Sequence, residues 1–368
     1  MTRLFLLAAL AASTAFSVGL PMRFKMTDFV DRQGFERPVV ALRLLVPAGW
    51  KTESNIQWNP QAACAGGLVT VSARVTSPDG RLAFEMFPNY IASWGDGFQY
   101  APPPGQGDGC RFHPPFDARQ FLGQILVPGF RRGATMKGVD PHPETARVLQ
   151  QKHQQQARQM GSMAQIRSDA AVARLEVTEN GSRFDERITA STFVIIGRDG
   201  AGGGVYTSAA ESVFAYRAPV GELARYDPIF ATIMNSLRVN PAWKIAINRI
   251  GMQLAQRTID AGRVAIQGIM ARSQIMSRAL SEAGDIQMRT WRNGQQSNDR
   301  MAESFSRYIR DVDLFQDSKG GTMEFGAGTQ FVWSNGGEEY IATDDSSYDP
   351  GASLPGPWNR YEVKRGRQ

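Results

Sequence analysis

From Trp243 to Ala283 apolar residues recur every seventh position: Ile245, Met252, Ile259 and Ile266, then Leu280 after a break at Ser273. A second column three residues on runs Asn248, Ala255, Gly262, Ile269, Met276 and Ala283. Two such columns predict a long amphipathic helix, and a helix of that length divides the chain. The expected architecture is therefore α+β over residues 24–240, a helical connector over 241–312 and a small β-meander over 313–349. A disordered tail is expected over 350–368.

The first region reads as an antiparallel sheet with covering helices. Val39 to Val46 is an apolar run of strand length closed by Pro47-Ala48-Gly49-Trp50. Asp79-Gly80 and Asn180-Gly181 are turn dipeptides between strand-like runs and predict two hairpins. Asp117 predicts the N-cap of a helix that buries Phe121, Leu122, Ile125 and Leu126. Glu222 to Leu237 has apolar residues at helical spacing and closes the region. Beyond Asp313, short apolar runs alternate with glycine turns.

Compartment follows from the N-terminus. Arg3, the apolar run Leu4–Phe16 and the small-residue exit at Ala15-Phe16-Ser17 form the pattern of a secretory signal over residues 1–17. That run is too short to span a bilayer, so the expected product is periplasmic or extracellular and not transmembrane. Only two cysteines occur, Cys64 and Cys110. In an exported chain a lone pair favours a disulfide. The competing reading is a reactive Cys110 activated by His113, which lacks an orienting third group nearby.

Chemistry leaves little trace. Of the three histidines, His142 lies between prolines, as in a rigid connector, and His153 sits in a Gln-rich segment expected to be solvated. Gly197 to Gly204 is glycine-rich, but Val205-Tyr206-Thr207 resumes a strand where a phosphate loop would open a helix. The acidic stretch from Asp345 has Pro350 at the sixth position and Gly356 at the twelfth, where a calcium loop needs Gly and a bidentate Glu. No cofactor, metal or catalytic residue is expected.

Charge says more. Residues 241–310 hold 11 Lys and Arg against 5 Asp and Glu; residues 311–368 hold 5 against 10. The basic helix could meet the acidic module or an anionic envelope surface. Nucleic acid is disfavoured, since no aromatic residues interleave the basic ones. The seam Ile245, Met252, Ile259, Ile266, Ile269, Met276 and Leu280 is the expected site of self-association, of a protein partner or of docking within the molecule.

Four stretches carry a resemblance: Val46-Pro47-Ala48-Gly49-Trp50, Ser236 through Trp243, Phe305 through Arg310, and Trp333-Ser334-Asn335-Gly336-Gly337-Glu338-Glu339-Tyr340-Ile341 with Asp344-Asp345. In this order they resemble an uncharacterised family of exported bacterial proteins, which implies export and brings no activity. The first region is distantly similar to the α/β/α sandwich of the Mog1 and PsbP type. The expected role is a non-enzymatic binding or assembly module of the envelope. The alternative is a hydrolase acting on envelope material near the 95–115 loop.

Overall fold

A computed structural model describes residues 21–59, 67–96, 111–159, 165–198, 203–260, 312–317, 321–326 and 329–363. The described residues begin with seven strands: β1 (Met22–Asp31), β2 (Val39–Pro47), β3 (Lys51–Trp58), β4 (Val69–Thr76), β5 (Ala83–Met86), β6 (Tyr90–Gly95) and β7 (Arg111–Phe112). The short helix α1 (Ala118–Gln120) runs through a π-helical stretch, Phe121–Leu126, into α2 (Val127–Phe130). Then come β8 (Thr135–Pro141), α3 (Pro143–Gln159), β9 (Gln165–Glu179), β10 (Ser182–Arg198), β11 (Gly204–Pro219) and α4 (Leu223–Asn235). The remainder is β12 (Arg238–Val239), α5 (Pro241–Asp260), β13 (Val312–Gln316), β14 (Thr322–Gly326), β15 (Phe331–Ser334), β16 (Glu339–Thr343) and β17 (Asn359–Val363).

These strands build two large sheets. The first has the order β12-β2-β1-β16-β15-β17-β13-β14; the second runs β3-β4-β5-β11-β10-β9-β8. Beside β11 lies β6, which carries the parallel strand β7. The chain crosses from the first sheet to the second at the corner Pro47 to Trp50, where Gly49 takes φ +84°. That backbone region admits glycine without penalty, which explains the Pro-Ala-Gly-Trp sequence at this point.

Helix α4 lies between the sheets. Phe230, Ala231, Ile233 and Met234 share a core with Leu42, Leu44 and Val46 of the first sheet and with Val75, Phe84, Phe214 and Tyr216 of the second. Ile229 packs into the other half of the first sheet, beside Phe24, Phe315 and Phe325. A helix apolar on nearly every side needs walls on both sides, and two sheets supply them. The approach is close at Gly326 of β14, where a Cβ would collide with the backbone of Pro228. Gly326 N–H instead donates to Thr232 Oγ1 at 2.9 Å, fixing the height of the helix over the sheet.

The expected α+β class with a helical connector and a separate C-terminal module is therefore corrected. The described chain is mostly antiparallel β, in two large sheets. Strands β13 to β17 make no module of their own, because β16 pairs with β1 in the register Met22↔Ala342 to Lys25↔Glu339. The stretch expected as a tail contributes β17, bonded to β15 and β13. A long connector is not seen: α5 is described over Pro241–Asp260, and Ile266, Ile269, Met276 and Leu280 lie outside the described residues. So do the side chains of Met252 and Ile259. The face that α5 buries is Trp243, Ala246 and Ile250, whereas Ile245 is 41% exposed. The helix expected from Trp243 is there over α5, but the column through Ile245, expected as the docking seam, is not the face that meets the sheets. Among the described residues no helix is long and apolar enough to cross a membrane.

One buried carboxylate ties α5 to the strands. Asp31, fully buried at the end of β1, accepts from the indole N–H of Trp58 at 2.8 Å and of Trp243 at 3.0 Å. Its other oxygen accepts from the backbone N–H groups of Gln33 and Gly34. Four donors replace the water that the carboxylate loses on burial. Trp243→Phe keeps most of the apolar bulk and removes one donor, so unfolding free energy should fall by about 1–3 kcal/mol. Urea titration checks this; an unchanged midpoint would show that the indole donor contributes nothing.

Candidate functional site

The second sheet has two faces, and each carries an unusual polar cluster. One face holds the apolar patch Ala173, Leu175, Ile188, Ala190 and Ala215, covered by Phe121, Leu122 and Leu126 of the π-helical stretch. Asp117 starts that helical run with a reciprocal cap: its carboxylate accepts from Gln120 N–H, and Gln120 Oε1 accepts from Asp117 N–H. Pro128 has no amide hydrogen to bond back into the π-helical turn, and the helix ends two residues later at Phe130. Arg131 follows immediately and is delivered over the sheet where its apolar cover stops.

There the cross-strand rows become charged. Lys51, Thr76, Ala83, Arg217 and Glu186 lie opposite one another across β3, β4, β5, β11 and β10. The next row on the same face is Glu53, Arg74, Glu85 and Ala215. These residues line two adjoining hollows of about 260 and 410 Å³, which share Arg74, Glu179 and Arg217. Phe130, Val177, Ala83 and Ala215 give the smaller hollow an apolar floor and wall.

At one end Arg131 is saturated. Its Nε lies 2.8 Å from Glu186 Oε2, and its Nη2 lies 2.6 Å from Glu85 Oε2. The guanidinium carbon sits 5.0 Å from the centre of the Phe87 ring. Burial disfavours the charged guanidinium. Hydrogen bonds and charge from Glu186 and Glu85 outweigh it and hold the group above arginine's ordinary value. Glu186 is almost wholly buried, so this pair anchors the groove more than it offers a binding group.

The other end is different. Arg217 pairs with Glu179, and Arg74 Nη2 lies 3.7 Å from the same carboxylate. Burial pushes Glu179 up, but the Arg217 hydrogen bond and the charges of Arg217, Arg74 and Arg131 bring it below the usual range. Arg217 stacks 4.6 Å from the centre of the Phe184 ring and is only 11% exposed. Its Nε–H is buried and has no hydrogen-bond partner among the described residues. Arg132, exposed, lines the smaller hollow and pairs with no described carboxylate. Two guanidinium groups thus share one glutamate, with a third close by.

The opposite face carries the second cluster, under α3. His153 is buried there, contrary to the solvated position expected for it. Its Nδ1 lies 2.9 Å from Ser168 Oγ and its Nε2 lies 3.0 Å from Glu211 Oε1. No sequence signal foretold either cluster, since the residues come from distant strands and share no spacing.

Other sequence candidates settle into structural roles. His142 accepts the start of α3 through its backbone oxygen, bonded by Ala146 N–H. His113 is paired with the oxygen of Pro114 at 2.7 Å. In the acidic stretch, Asp345 Oδ1 accepts from Ser347 and Asp349 Oδ1 from Gly351 N–H, so both carboxylates close Asx turns. Among the described residues no three His, Cys, Asp or Glu side chains are placed to hold a metal. Cys64 and Cys110 lie outside the described residues, as does most of the 95–115 loop. Comparison of the chain with protein-family models, with curated proteins and with solved structures returns no match.

Proposed function

We propose that the chain is an exported binding protein of the envelope whose arginine–glutamate groove receives an anionic group, carboxylate or phosphate. The observation that carries this reading is the sharing of Glu179 by Arg74 and Arg217, together with the unpaired, buried Nε–H of Arg217. A buried donor without an acceptor costs about 1–3 kcal/mol, and an incoming oxyanion would recover it. Guanidinium forks match carboxylate and phosphate oxygens in geometry as well as charge. The apolar lining from Phe130, Val177 and Ala215 suits a ligand with a small apolar body behind its charge. Envelope location is supported by the N-terminal signal pattern of Arg3 and Leu4–Phe16.

Calorimetric titration of the full chain at low salt with inorganic phosphate and, separately, with malonate tests the proposal and distinguishes the two oxyanions. Binding of at least one is expected, with affinity falling by about tenfold or more in Arg217→Met, the worth of a charged hydrogen bond. Absence of binding to both, or equal binding by the variant, would overturn it.

A further inference from the structure

On the face of the second sheet covered by α3, two neighbouring rows converge under His153. Ala170, Ser191 and Glu211 lie opposite one another, and Ser168, Phe193 and Ala209 form the next row. Glu211 reaches this face only because β11 is irregular. Ser212 and Val213 together oppose Ala190, the register shifts, and Ser212 takes φ +54°. A left-handed serine costs about 1–3 kcal/mol, and such strain gathers at functional sites. Without the bulge, strict alternation would send Glu211 to the side of Val213 and Ala215, which packs against the π-helical stretch.

The bonds around His153 have a direction. A carboxylate only accepts, so in the neutral imidazole Nε2 carries the hydrogen that bonds Glu211, and Nδ1 is left as an acceptor. Ser168 Oγ–H is then the donor to Nδ1 at 2.9 Å. The hydroxyl proton is aimed at a base whose far side is held by an anion, which is the arrangement that activates a serine. His153 itself is buried against the Phe193 ring, 4.8 Å between centres, whereas Ser168 is part-exposed.

We infer that Ser168 is a nucleophile toward acyl esters, with His153 as its general base and Glu211 as a positioning residue. Ser168 Oγ bonds to the ester carbonyl carbon while its proton passes to His153 Nδ1. The carbon–alkoxide bond then breaks, and the same proton leaves with the alcohol. Water gives a proton to His153 Nδ1 and attacks the acyl carbon; the bond from that carbon to Ser168 Oγ breaks, the proton passes from His153 to Oγ, and the carboxylic acid leaves. This activity goes beyond anion binding and uses the opposite face of the sheet.

The test is covalent labelling of the full chain with an alkyl fluorophosphonate, in which the serine oxygen displaces fluoride. Peptide mass analysis should find the adduct on Ser168. General-base assistance is worth about 100-fold or more, so His153→Asn should slow labelling by about that factor. Glu211→Gln should slow it about tenfold and lower kcat for 4-nitrophenyl acetate with KM unchanged, Glu211→Asp restoring part of the loss. Wild-type protein without an adduct on Ser168, or labelling at equal rates in wild type and Glu211→Gln, would overturn the inference.

Discussion

Phe230→Ala is expected to lower unfolding free energy by about 3–5 kcal/mol, the usual loss when a large ring leaves a closed core. Phe230 is fully buried on α4, with the Tyr216 ring 5.2 Å away. It sits where the helix meets both sheets, so neither wall can collapse into the cavity without leaving the other. Urea unfolding monitored by tryptophan fluorescence measures the effect. Ile245→Ala, at an exposed position on α5, should change stability by no more than about 0.5 kcal/mol. A loss below 1 kcal/mol in Phe230→Ala would mean that α4 is not the helix that joins the sheets.

Arg131→Met should destabilise the protein by about 3–5 kcal/mol as well, for an electrostatic reason. Glu186 is 3% exposed and takes both oxygens to Arg131; removing the guanidinium leaves a carboxylate in the interior without the cation that bonds both its oxygens. Most of that loss belongs to the stranded charge. The double variant Arg131→Met with Glu186→Gln should therefore recover a large part of it, because a neutral amide is far cheaper to bury. A double-mutant cycle in urea separates the two contributions. If the double variant were as unstable as the single one, lost packing against Phe87 would be the cause instead.

Local features of the fold were legible in the residues. Asn180-Gly181 joins β9 to β10 with φ of +52° and +77°, the pair of left-handed residues that a two-residue hairpin turn requires. Asp79-Gly80 lies in the turn between β4 and β5. The helix from Glu222 was equally plain, and so was the cap at Asp117. What stayed hidden was non-local. Periodicity identifies a strand but not the strand it will meet, and β1 meets β16 more than 300 residues away.

The sites were hidden for the same reason. Arg74, Glu85, Glu186 and Arg217 each look like an ordinary polar residue on a strand, and only the register brings them into one groove. His153 looked solvated because Gln150, Gln154 and Gln155 surround it in sequence. Yet Gln150 itself faces inward: its amide donates to the oxygen of Ile166 and accepts from Ser168 N–H. A polar helix can bury a polar face when the sheet beneath offers matching groups, and no hydropathy pattern reports that.

Pairing of β1 with β16 also sets an order of events. Residues 22–31 leave the ribosome early, and β2 can cover one of their edges at once, but the other edge waits for residues 339–343. Until then the first sheet is a half-open template, with β1 and its bonding groups available to any extended chain. Closure joins strands more than 300 residues apart, and contacts of such long separation slow folding. The time between synthesis of the first strand and arrival of the last is thus the interval in which this protein is most exposed to mispairing.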